Sequence, residues 1–382
     1  MKIMVVNTLY APYSVGGAEI SVQILCEELA KQGHQVRVIT LCDKKKRELM
    51  TIKSVDVVYL PLKNIYWPFN AKKQSALKRF LWHFVDNYNF FMRASFRKEV
   101  LSFKPDVIHT NNLAGFSVAI WSVAHALGIG IVHTSRDYYL LDPNTTLNRN
   151  GIDINSNSPI IFLWSIIKRA HSKKIKFHVG ISRFIMDFYS ERNFFNNAYC
   201  CYIYNPVSPH FMHRSEGQVK RLGFIGRHTK EKGFDAFCNI IIQLRESGHA
   251  FSAFSAGEYR DSNEAAVLQS LAKSADIQHL GRVNLAQFLN EVDIVILPFK
   301  WREPFGRVVV ESALANKCVL TNPVGGAKEL IENIPTVKEM TFENLMWAMS
   351  IAEDIEPGAE IIKLFDVREI TDEYMRIYER AR

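Results

Sequence analysis

One pattern recurs along this chain of 382 residues: a short run rich in β-branched residues, then a loop, then an amphipathic helix. Parallel strands need crossover connections, which are usually helices, so this alternation predicts doubly wound α/β sheets. The length is sufficient for two domains, each with its own apolar core. In the first half the strand-like runs are Ile3–Val6, Val36–Thr40, Asp106–His109 and Ile129–His133.

The pattern starts again after Asn205–Pro209, a segment whose two prolines indicate a linker. We therefore predict two Rossmann-like domains, residues 1–205 and 206–365, with a cleft between them. Residues 366–382 are predicted to form a C-terminal helix that packs back on the first domain. The strand-like runs of the second half begin at Arg221, Phe251, Gln278, Ile294 and Cys318.

Composition excludes several classes of protein. The chain is 48% hydrophobic, with 47 basic and 39 acidic side chains, which is too apolar and too balanced for a disordered chain. Its six cysteines form no C-x2-C pair, so neither a zinc ribbon nor a disulfide scaffold is expected. Polar residues and glycines interrupt the apolar stretch Gly115–Val132, which predicts a helix followed by a strand rather than a membrane span. We expect a cytoplasmic protein, because the first apolar run is too short for a signal peptide.

Charge is distributed unevenly between the two halves. Residues 1–205 carry 26 basic and 14 acidic side chains, whereas residues 206–382 carry 21 and 25. This asymmetry indicates an anionic partner for the first half: nucleic acid, a membrane surface or a phosphorylated substrate. An ordinary solvated basic surface is the alternative.

The segment Lys72–Lys98 is predicted to be one amphipathic helix. We expect its apolar stripe to pack in the core, with insertion into a membrane as the alternative. Its basic face would remain available for anionic headgroups. The stripe consists of Leu77, Phe80, Leu81, Phe84, Val85, Tyr88, Phe91 and Met92, and the basic face of Lys72, Arg79, Arg93 and Arg97.

Chemistry-bearing residues concentrate in Leu297–Ser312. Glu303 lies in a predicted loop and Glu311 in the helix that follows. Gly306 lets backbone amides approach a ligand, and the helix N-terminus offers unpaired N–H groups to phosphate. Carboxylates accept hydrogen bonds from sugar hydroxyls, so the segment fits a nucleotide-sugar site. Two solvated glutamates on a surface helix are the alternative.

A second segment, Gly226–Gly233, follows a predicted strand directly. Its Arg227 and Lys232 are fixed cations suited to a diphosphate without a metal ion. Considered alone, the segment is a generic basic loop.

Together with further short motifs, these two segments resemble the retaining GT-B-fold glycosyltransferases of family 4 (group 1). The resemblance extends over most of the chain, and the set of motifs in this order is far more specific than any one of them. The other motifs are Gly16–Glu19, Leu29–Ala30, Gly33–His34 with Val36, Gly180–Ser182, Tyr204–Val207, Gly281, and Gly325–Gly326 with Glu329.

The resemblance implies a role for each matching residue. Arg227 and Lys232 would hold the donor diphosphate and stabilise the leaving nucleoside diphosphate, with no metal ion and no other cofactor. Glu311 would bind the ribose hydroxyls, and Glu303 the hydroxyls of the donor sugar. Further donor contacts are implied for Gly226, Phe305, Gly306, Arg307 and Val308, and across the interdomain cleft for Gly16 and Gly17, whose alternative role is a tight turn.

One position departs from the family pattern. Many relatives carry a His followed by an Asp after the strand that corresponds to Ile129–His133. In this chain Arg136 precedes Asp137 at that position. His133 is the counterpart if the register differs, and His109 is a further candidate. An arginine cannot act as a general base. In retaining enzymes of this kind the donor's own phosphate oxygen is thought to deprotonate the acceptor, so Arg136 would orient donor or acceptor.

The resemblance therefore implies transfer of a sugar from a UDP- or GDP-linked donor to a hydroxyl of a glycan or lipid-linked acceptor. Assembly of a bacterial surface polysaccharide or lipopolysaccharide is the expected setting, with peripheral attachment to the inner face of the membrane. A nucleotide-sugar epimerase and a catalytically idle subunit that binds glycans or a partner are the alternatives. Nucleic-acid binding is disfavoured, because no recognisable reading module accompanies the basic residues.

Overall fold

A computed structural model of the chain describes residues 1–13, 16–70, 74–149, 151–208, 219–259, 263–351 and 356–382. Lys72 and Pro209, both named above, lie outside these ranges. The chain divides into two compact units. The first contains Met1–Leu147, Asn155–Pro206 and Asp366–Arg382, and the second contains Asn148–Ile154 and Val207–Phe365.

Strands and helices alternate along most of the described chain. The strands are β1 (Lys2–Val6), β2 (Gln35–Cys42), β3 (Glu48–Ile52), β4 (Val55–Pro61), β5 (Val107–Thr110), β6 (Gly130–Ser135), β7 (Asn148–Arg149), β8 (Ile152–Asp153), β9 (Phe177–Gly180), β10 (Tyr199–Tyr202), β11 (Lys220–Ile225), β12 (Phe251–Ala256), β13 (Gln278–His279), β14 (Ile294–Leu297), β15 (Cys318–Thr321) and β16 (Val337–Glu339). The helices are α1 (Gly17–Lys31), α2 (Ala76–Asn87), α3 (Phe90–Phe103), α4 (Ala119–Ala126), α5 (Pro159–Ser172), α6 (Arg183–Ser190), α7 (Phe234–Glu246), α8 (Asn263–Ser274), α9 (Leu285–Asn290), α10 (Arg307–Leu314), α11 (Ala327–Asn333), α12 (Phe342–Ser350), α13 (Ala359–Leu364) and α14 (Val367–Ala381).

The first unit is built on an eight-stranded sheet with the order β10-β9-β6-β5-β1-β2-β4-β3. Its strands are parallel, except that β3 pairs with β4 as an antiparallel hairpin at one edge. In the central strand β1, Ile3 pairs with Val36 on one side and with Val107 on the other. The residues Ile3–Val6 are fully buried, because helices cover both faces of a parallel sheet, and this explains their continuous apolar run.

The second unit contains a six-stranded, all-parallel sheet with the order β13-β12-β11-β14-β15-β16. The chain begins at β11, proceeds to one edge, and then crosses back to β14 beside β11. The strand order therefore reverses between β11 and β14. Loops that leave neighbouring strands at such a point diverge, and doubly wound folds bind their ligands there, at the carboxyl ends of the strands.

The final helix, α14, belongs to the first unit, where it contacts α1 and β6. Its tyrosines Tyr374 and Tyr378 are buried, and the Tyr378 hydroxyl is hydrogen-bonded to Nδ1 of His109 at 2.6 Å. These contacts explain why the amphipathic C-terminal segment is helical: its apolar side faces the first sheet.

The boundary between the units differs from the predicted one at residues 148–154. The sequence analysis placed this segment in the first domain, whereas the structure groups its β7–β8 hairpin with the second unit. There, Asp153 accepts a hydrogen bond from Nε of Arg302 at 2.9 Å. Asp153 and Arg302 are so far apart in the sequence that no local sequence pattern predicts their contact.

The prediction of one helix over Lys72–Lys98 was wrong, because α2 ends at Asn87 and α3 begins at Phe90. Asn89 caps α3 by accepting a hydrogen bond from the Met92 amide at 3.0 Å. The Asn89 side chain also donates to the carbonyl of Lys63 at 2.9 Å. These bonds hold extended backbone at the break, so tertiary contacts override a continuous periodic pattern.

The expectation that the apolar stripe packs in the core was also wrong for most of its members. Met92 is buried and Val85 and Tyr88 are half-buried, but the aromatic and leucine side chains face solvent. The exposed members are Leu77, Phe80, Leu81, Phe84 and Phe91.

The two sheets confirm the predicted doubly wound α/β class. The sequence analysis did not identify β3, β4, β9, β10 or β16. Strands β9, β10 and β16 are short, and β3 exposes much of its surface. Strand β4 is long and mostly buried, so its apolar run was a signal that the sequence analysis missed. Within the described ranges, no helix is both long and apolar enough to cross a membrane.

Candidate functional site

Two loops meet at the carboxyl edge of the second sheet, where the strand order reverses. Residues 226–233 follow β11, and residues 298–306 follow β14. The carbonyl oxygen of Glu231 accepts hydrogen bonds from the amides of Lys300 and Trp301 at 3.1 and 3.2 Å. Gly233 has a φ of +80°, and a Cβ at this position would lie 1.9 Å from the carbonyl oxygen of Pro298. Glycine is therefore required for the two loops to approach this closely.

A third loop, after β15, supports the second of these loops from behind. The amide of Gly326 donates to the carbonyl oxygen of Glu303 at 2.7 Å. A Cβ on Gly325 would lie 2.3 Å from the same oxygen, and the φ of +61° at this residue also favours glycine. The Gly325–Gly326 pair thus fixes the backbone position of Glu303.

The two main loops also share a charge-assisted hydrogen bond. Nζ of Lys232 lies 2.7 Å from Oε2 of Glu303, and the two side chains are 19% and 13% exposed. The indole N–H of Trp301 donates to the same carboxylate oxygen at 3.0 Å, and the indole ring lies 4.5 Å from the ammonium. A cation that can bind phosphate and a carboxylate that can bind hydroxyls are thereby held side by side.

Arg227 is the second cation of the loop after β11. Its side chain is 46% exposed and lies 3.8 Å from the carboxylate of Glu231. The neighbouring His228 is buried and stacks on Phe234, with 4.0 Å between ring centroids. Burial, assisted by the nearby His279, lowers the pKa of His228 to about 3, so its ring is neutral. The positive charge of this segment therefore comes from Arg227 and its lysines.

The loop after β14 leads directly into α10, with Gly306 as the residue before the helix. Helix N-termini present backbone N–H groups that lack intrahelical acceptors, and Val308 lies in this first turn. Glu311 follows on the same helix, where its Oε1 accepts from Nε of Arg307 at 2.7 Å. The Phe305 side chain is buried and packs in the core of the second unit.

In the first unit, Gly16 and Gly17 stand at the N-terminus of α1. The amide of Gly16 donates to Oε2 of Glu19 at 2.9 Å, which closes a capping interaction. Glu19 is buried and close enough to Asp137 to raise the pKa of that carboxyl. Burial is the larger cause, and together the effects raise the pKa of Asp137 to about 6.

Arg136 is buried in the first unit at the end of β6. Its Nε donates to Oδ1 of Asn111 at 2.8 Å, and its NH1 group donates to Oδ1 of Asn205. These two amides satisfy donors of the guanidinium, and the neighbouring Asp137 carboxyl interacts with it electrostatically. Arg136 also lines a small pocket together with residues of β6 and of the loop after β5. A guanidinium held in a fixed position beside a pocket suits the binding of an anionic group.

The two histidines considered as alternatives to Arg136 occupy structural positions. His109 is fully buried, with Nδ1 bonded to Tyr378 and Nε2 bonded to Thr134 at 2.8 Å. His133 lines the pocket, and its Nδ1 is bonded to Thr110 at 2.9 Å. Burial, reinforced by Arg136, lowers the pKa of His133 to about 3. Both rings are therefore neutral and partnered inside the sheet.

Three residues with evident roles were given none in the sequence analysis. Trp301, Asn111 and Asn205 hold Glu303 or Arg136 in place. Asn205 belongs to the Tyr204–Val207 motif, so the sequence did mark this residue as part of the family pattern. Without a structure, however, nothing connects an asparagine after β10 with an arginine after β6.

Two family models match the chain. Residues 15–211 match the model described as Glycosyltransferase Family 4, and residues 219–355 match the model described as Glycosyl transferases group 1. The chain is a family 4 glycosyltransferase. This enzyme is 41% identical over 380 residues to an uncharacterised 42.6 kDa protein in the cps region of Klebsiella pneumoniae, with 99% of this chain and 100% of the relative covered.

Solved structures share the fold of this glycosyltransferase. Sucrose-phosphate synthase from Thermosynechococcus elongatus superimposes with a TM-score of 0.72 at 15% identity, covering 99% of this chain and 98% of the other. Anabaena Alr3699/HepE, solved in complex with UDP, gives a TM-score of 0.70 at 16% identity and full coverage of both chains. The expected GT-B class is thereby confirmed.

The neutral His133 predicts that stability depends on pH. Its pKa is about 3 in the fold and about 6.5 in an unfolded chain, so the unfolded state binds more protons between these values. Stability is therefore lost as the pH falls through this window. Relative to His133→Gln, the wild type should lose about 1.4 kcal/mol of unfolding free energy per pH unit below about pH 6.

Urea unfolding at about pH 7 and about pH 5 measures this difference. The matched control is His125→Gln, since His125 is an exposed histidine on α4 of the same unit. The unfolding free energy of His125→Gln should change with pH as that of the wild type does. The prediction would be contradicted if the wild type and His133→Gln lost the same unfolding free energy between these two pH values.

Proposed function

We propose that this family 4 glycosyltransferase transfers a sugar from a nucleoside diphosphate sugar to an acceptor hydroxyl with retention of anomeric configuration. The observation that carries the proposal is the 2.7 Å contact between Lys232 and Glu303 at the reversal point of the second sheet. A phosphate-binding cation and a hydroxyl-binding carboxylate side by side match the junction of diphosphate and sugar. The presence of UDP and UDP-glucose in structures of Anabaena HepE, which has the same fold, supports this type of donor.

In the proposed reaction, the acceptor oxygen forms a bond to the anomeric carbon of the donor sugar. The bond from that carbon to the diphosphate oxygen breaks, and its electron pair leaves with the nucleoside diphosphate. The acceptor proton passes to the departing phosphate oxygen on the same face of the sugar. Lys232 and Arg227 stabilise the charge that develops on the diphosphate, so no divalent ion is required.

The remaining residues orient the two substrates. Glu303, held by Trp301, binds hydroxyls of the donor sugar, and Glu311 binds those of the ribose. The backbone N–H groups in the first turn of α10 donate hydrogen bonds to the phosphate oxygens. Gly16 and Gly17 approach the donor through their backbone, and Arg136 orients an anionic group of donor or acceptor. None of these roles needs a protein base.

We further propose that the acceptor is a glycan or a lipid-linked glycan of a bacterial surface polysaccharide. The Klebsiella pneumoniae relative is described as a protein in the cps region, which supports this setting. Release of nucleoside diphosphate from a panel of UDP- and GDP-sugars, with and without candidate acceptors, tests the proposal. Acceptor-dependent release supports transfer. Isomerisation of the donor sugar would favour an epimerase, and donor binding without turnover would favour an idle subunit.

The two glutamates should affect different steps. Glu311→Ala should weaken binding of the free nucleoside diphosphate about tenfold or more, because it removes the charged acceptor to which the ribose hydroxyls donate hydrogen bonds. Glu303→Gln keeps the size of the side chain but removes its charge and replaces one acceptor oxygen by an NH2 donor. This variant should lower kcat/KM for the sugar nucleotide by about tenfold or more, while nucleoside diphosphate affinity stays unchanged.

Isothermal titration with nucleoside diphosphate and steady-state kinetics with the sugar nucleotide separate these effects. Glu332→Ala, on an exposed glutamate of α11 in the same unit, is the matched control and should behave as wild type. Normal binding and turnover by both site variants would show that the motif has been assigned wrongly.

A further inference from the structure

Helices α2 and α5 of the first unit expose an unusual amount of apolar surface. Phe84 on α2 is 65% exposed, and Leu163 on α5 is 66% exposed. Large contiguous apolar surfaces on soluble domains generally mark sites of interaction. We define the α2–α5 face as the exposed apolar side chains of both helices: Leu77, Phe80, Leu81 and Phe84, with Ile160, Phe162, Leu163, Ile166 and Ile167.

The two helices lie side by side and run in the same direction. The rings of Phe80 and Trp164 are 6.4 Å apart, and those of Tyr88 and His171 are 5.0 Å apart. The first contact joins the N-terminal halves of the helices, and the second joins their C-terminal ends. The apolar stripes therefore form one continuous surface rather than two separate ones.

Helices α2, α3 and α5, as the structure describes them, expose no acidic side chain. Helix α5 contains no Asp or Glu. Asp86 on α2 is buried, and Glu99 on α3 is buried and paired with Arg47 at 2.7 Å. The exposed charges of α2, α3 and the end of α5 are therefore all positive: Lys78, Arg79, Arg97, Lys98 and Lys173.

We propose that the α2–α5 face inserts into the interface of an anionic phospholipid leaflet. In such an interface, apolar and aromatic side chains insert as far as the upper part of the acyl chains. Flanking cationic side chains bind the anionic headgroups. Trp164 is half-buried where α5 contacts Phe80 of α2, so it reports on insertion of the face without being one of its exposed members. The sequence pattern pointed to α2 and α3; the contribution of α5 comes from the tertiary structure.

Charge decides between a leaflet and a second copy of the chain. A symmetric dimer through this face would place its cations against the same positively charged surface of the second copy, and the described residues of the face include no exposed acidic side chain to compensate. An anionic leaflet supplies the missing negative charge. The proposal concerns attachment, so it holds whichever sugar or acceptor the enzyme uses.

Co-sedimentation with vesicles tests the proposal. The vesicles contain either phosphatidylcholine alone or phosphatidylcholine with phosphatidylglycerol, and each is used at low and high salt. We expect binding to the anionic vesicles that weakens as salt rises. Phe84→Ser with Leu163→Ser should lower the partition coefficient about tenfold or more, because apolar burial is lost. Arg79→Glu should lower it by a similar factor.

Matched controls come from the second unit. Phe342→Ser replaces a phenylalanine that is 66% exposed, and Lys273→Glu reverses an exposed lysine of α8. Both control variants should bind as the wild type does. Because every replaced side chain is exposed, circular dichroism should show all variants to be folded.

Depth is measured by quenching of tryptophan fluorescence with brominated phosphatidylglycerol. The quenched component should disappear in Trp164→Phe, while vesicle binding by this variant is retained. Three results would overturn the proposal: no binding to anionic vesicles, binding unaffected by the Phe84 and Leu163 replacements, or a dimer that these replacements dissociate in the absence of vesicle binding.

Discussion

Alanine in place of Lys232 is expected to lower kcat by about 10²-fold or more, the typical loss when one preorganised electrostatic contact to a transition state is removed. In the free enzyme the ammonium is already fixed by Glu303 at 2.7 Å and lies over the Trp301 ring. Little reorganisation is therefore needed when charge develops on the diphosphate. Arg227→Ala should produce a loss of the same order, measured as nucleoside diphosphate release under saturating donor.

Lys230→Ala is the matched control for this prediction. Lys230 lies in the same loop, two residues before Lys232, and its side chain is exposed. We expect its kcat to stay within about twofold of wild type. Activity should also survive EDTA, because the two cations replace a divalent ion. Rates abolished by EDTA and restored by manganese would refute the metal-free assignment.

Replacement of Lys168 by methionine is expected to lower the free energy of unfolding of the first unit by about 1–3 kcal/mol, the cost of leaving a buried polar group without its partner. Lys168 and Asp86 are both 2% exposed. Nζ of Lys168 donates to the carbonyl oxygen of Tyr139 at 2.8 Å, and the Asp86 carboxylate accepts from the Tyr139 hydroxyl at 2.8 Å and the Gly115 amide at 2.7 Å. Methionine fills the space but leaves the Tyr139 carbonyl without its donor, and it removes the nearby positive charge that favours the ionised form of Asp86.

The pH dependence of this loss identifies its cause. Burial raises the pKa of Asp86, and the Lys168 ammonium opposes that rise. Without the ammonium the pKa of Asp86 rises further, so protonation at low pH relieves the unpaired charge. The destabilisation should therefore be larger at about pH 8 than at about pH 5. Urea unfolding, with amide exchange followed in β5 and β6, measures it in the first unit.

Two further variants complete the test. The double variant Lys168→Met with Asp86→Asn should recover much of the lost stability, because it removes both charges. Lys173→Met, an exposed lysine at the end of the same helix, should change stability by less than about 0.5 kcal/mol. A Lys168→Met variant as stable as the Lys173 control would show that the buried network does not stabilise this unit.

Short-range patterns fixed several features of this enzyme in advance. The continuous apolar run at Ile3–Val6 could only be a buried parallel strand, because alternation is absent and a helix follows. The segments around Lys232 and Glu303 were identifiable from residue type and from glycine spacing. Each of these signals lies within a few residues of the chain, which is the range over which strand, loop and helix preferences act.

Other features depend on contacts between distant parts of the chain. The sequence could not reveal that Asn89 breaks the helix at residue 88, since its partner Lys63 lies 26 residues away. Nor could it show that Arg136 is fixed by Asn205, or that α5 lies beside α2 and leaves both apolar stripes exposed.

The sequence by itself determined the α/β class, the family and the residue types at the candidate donor loops, because local periodicity and short motifs encode them. The tertiary structure decided which apolar stripe is buried, which histidines are neutral, and which side chains fix Glu303 and Arg136. A helical stripe has the same spacing whether it faces a core or solvent. Burial and pairing are set by what the rest of the fold places against a surface, and no local pattern records that.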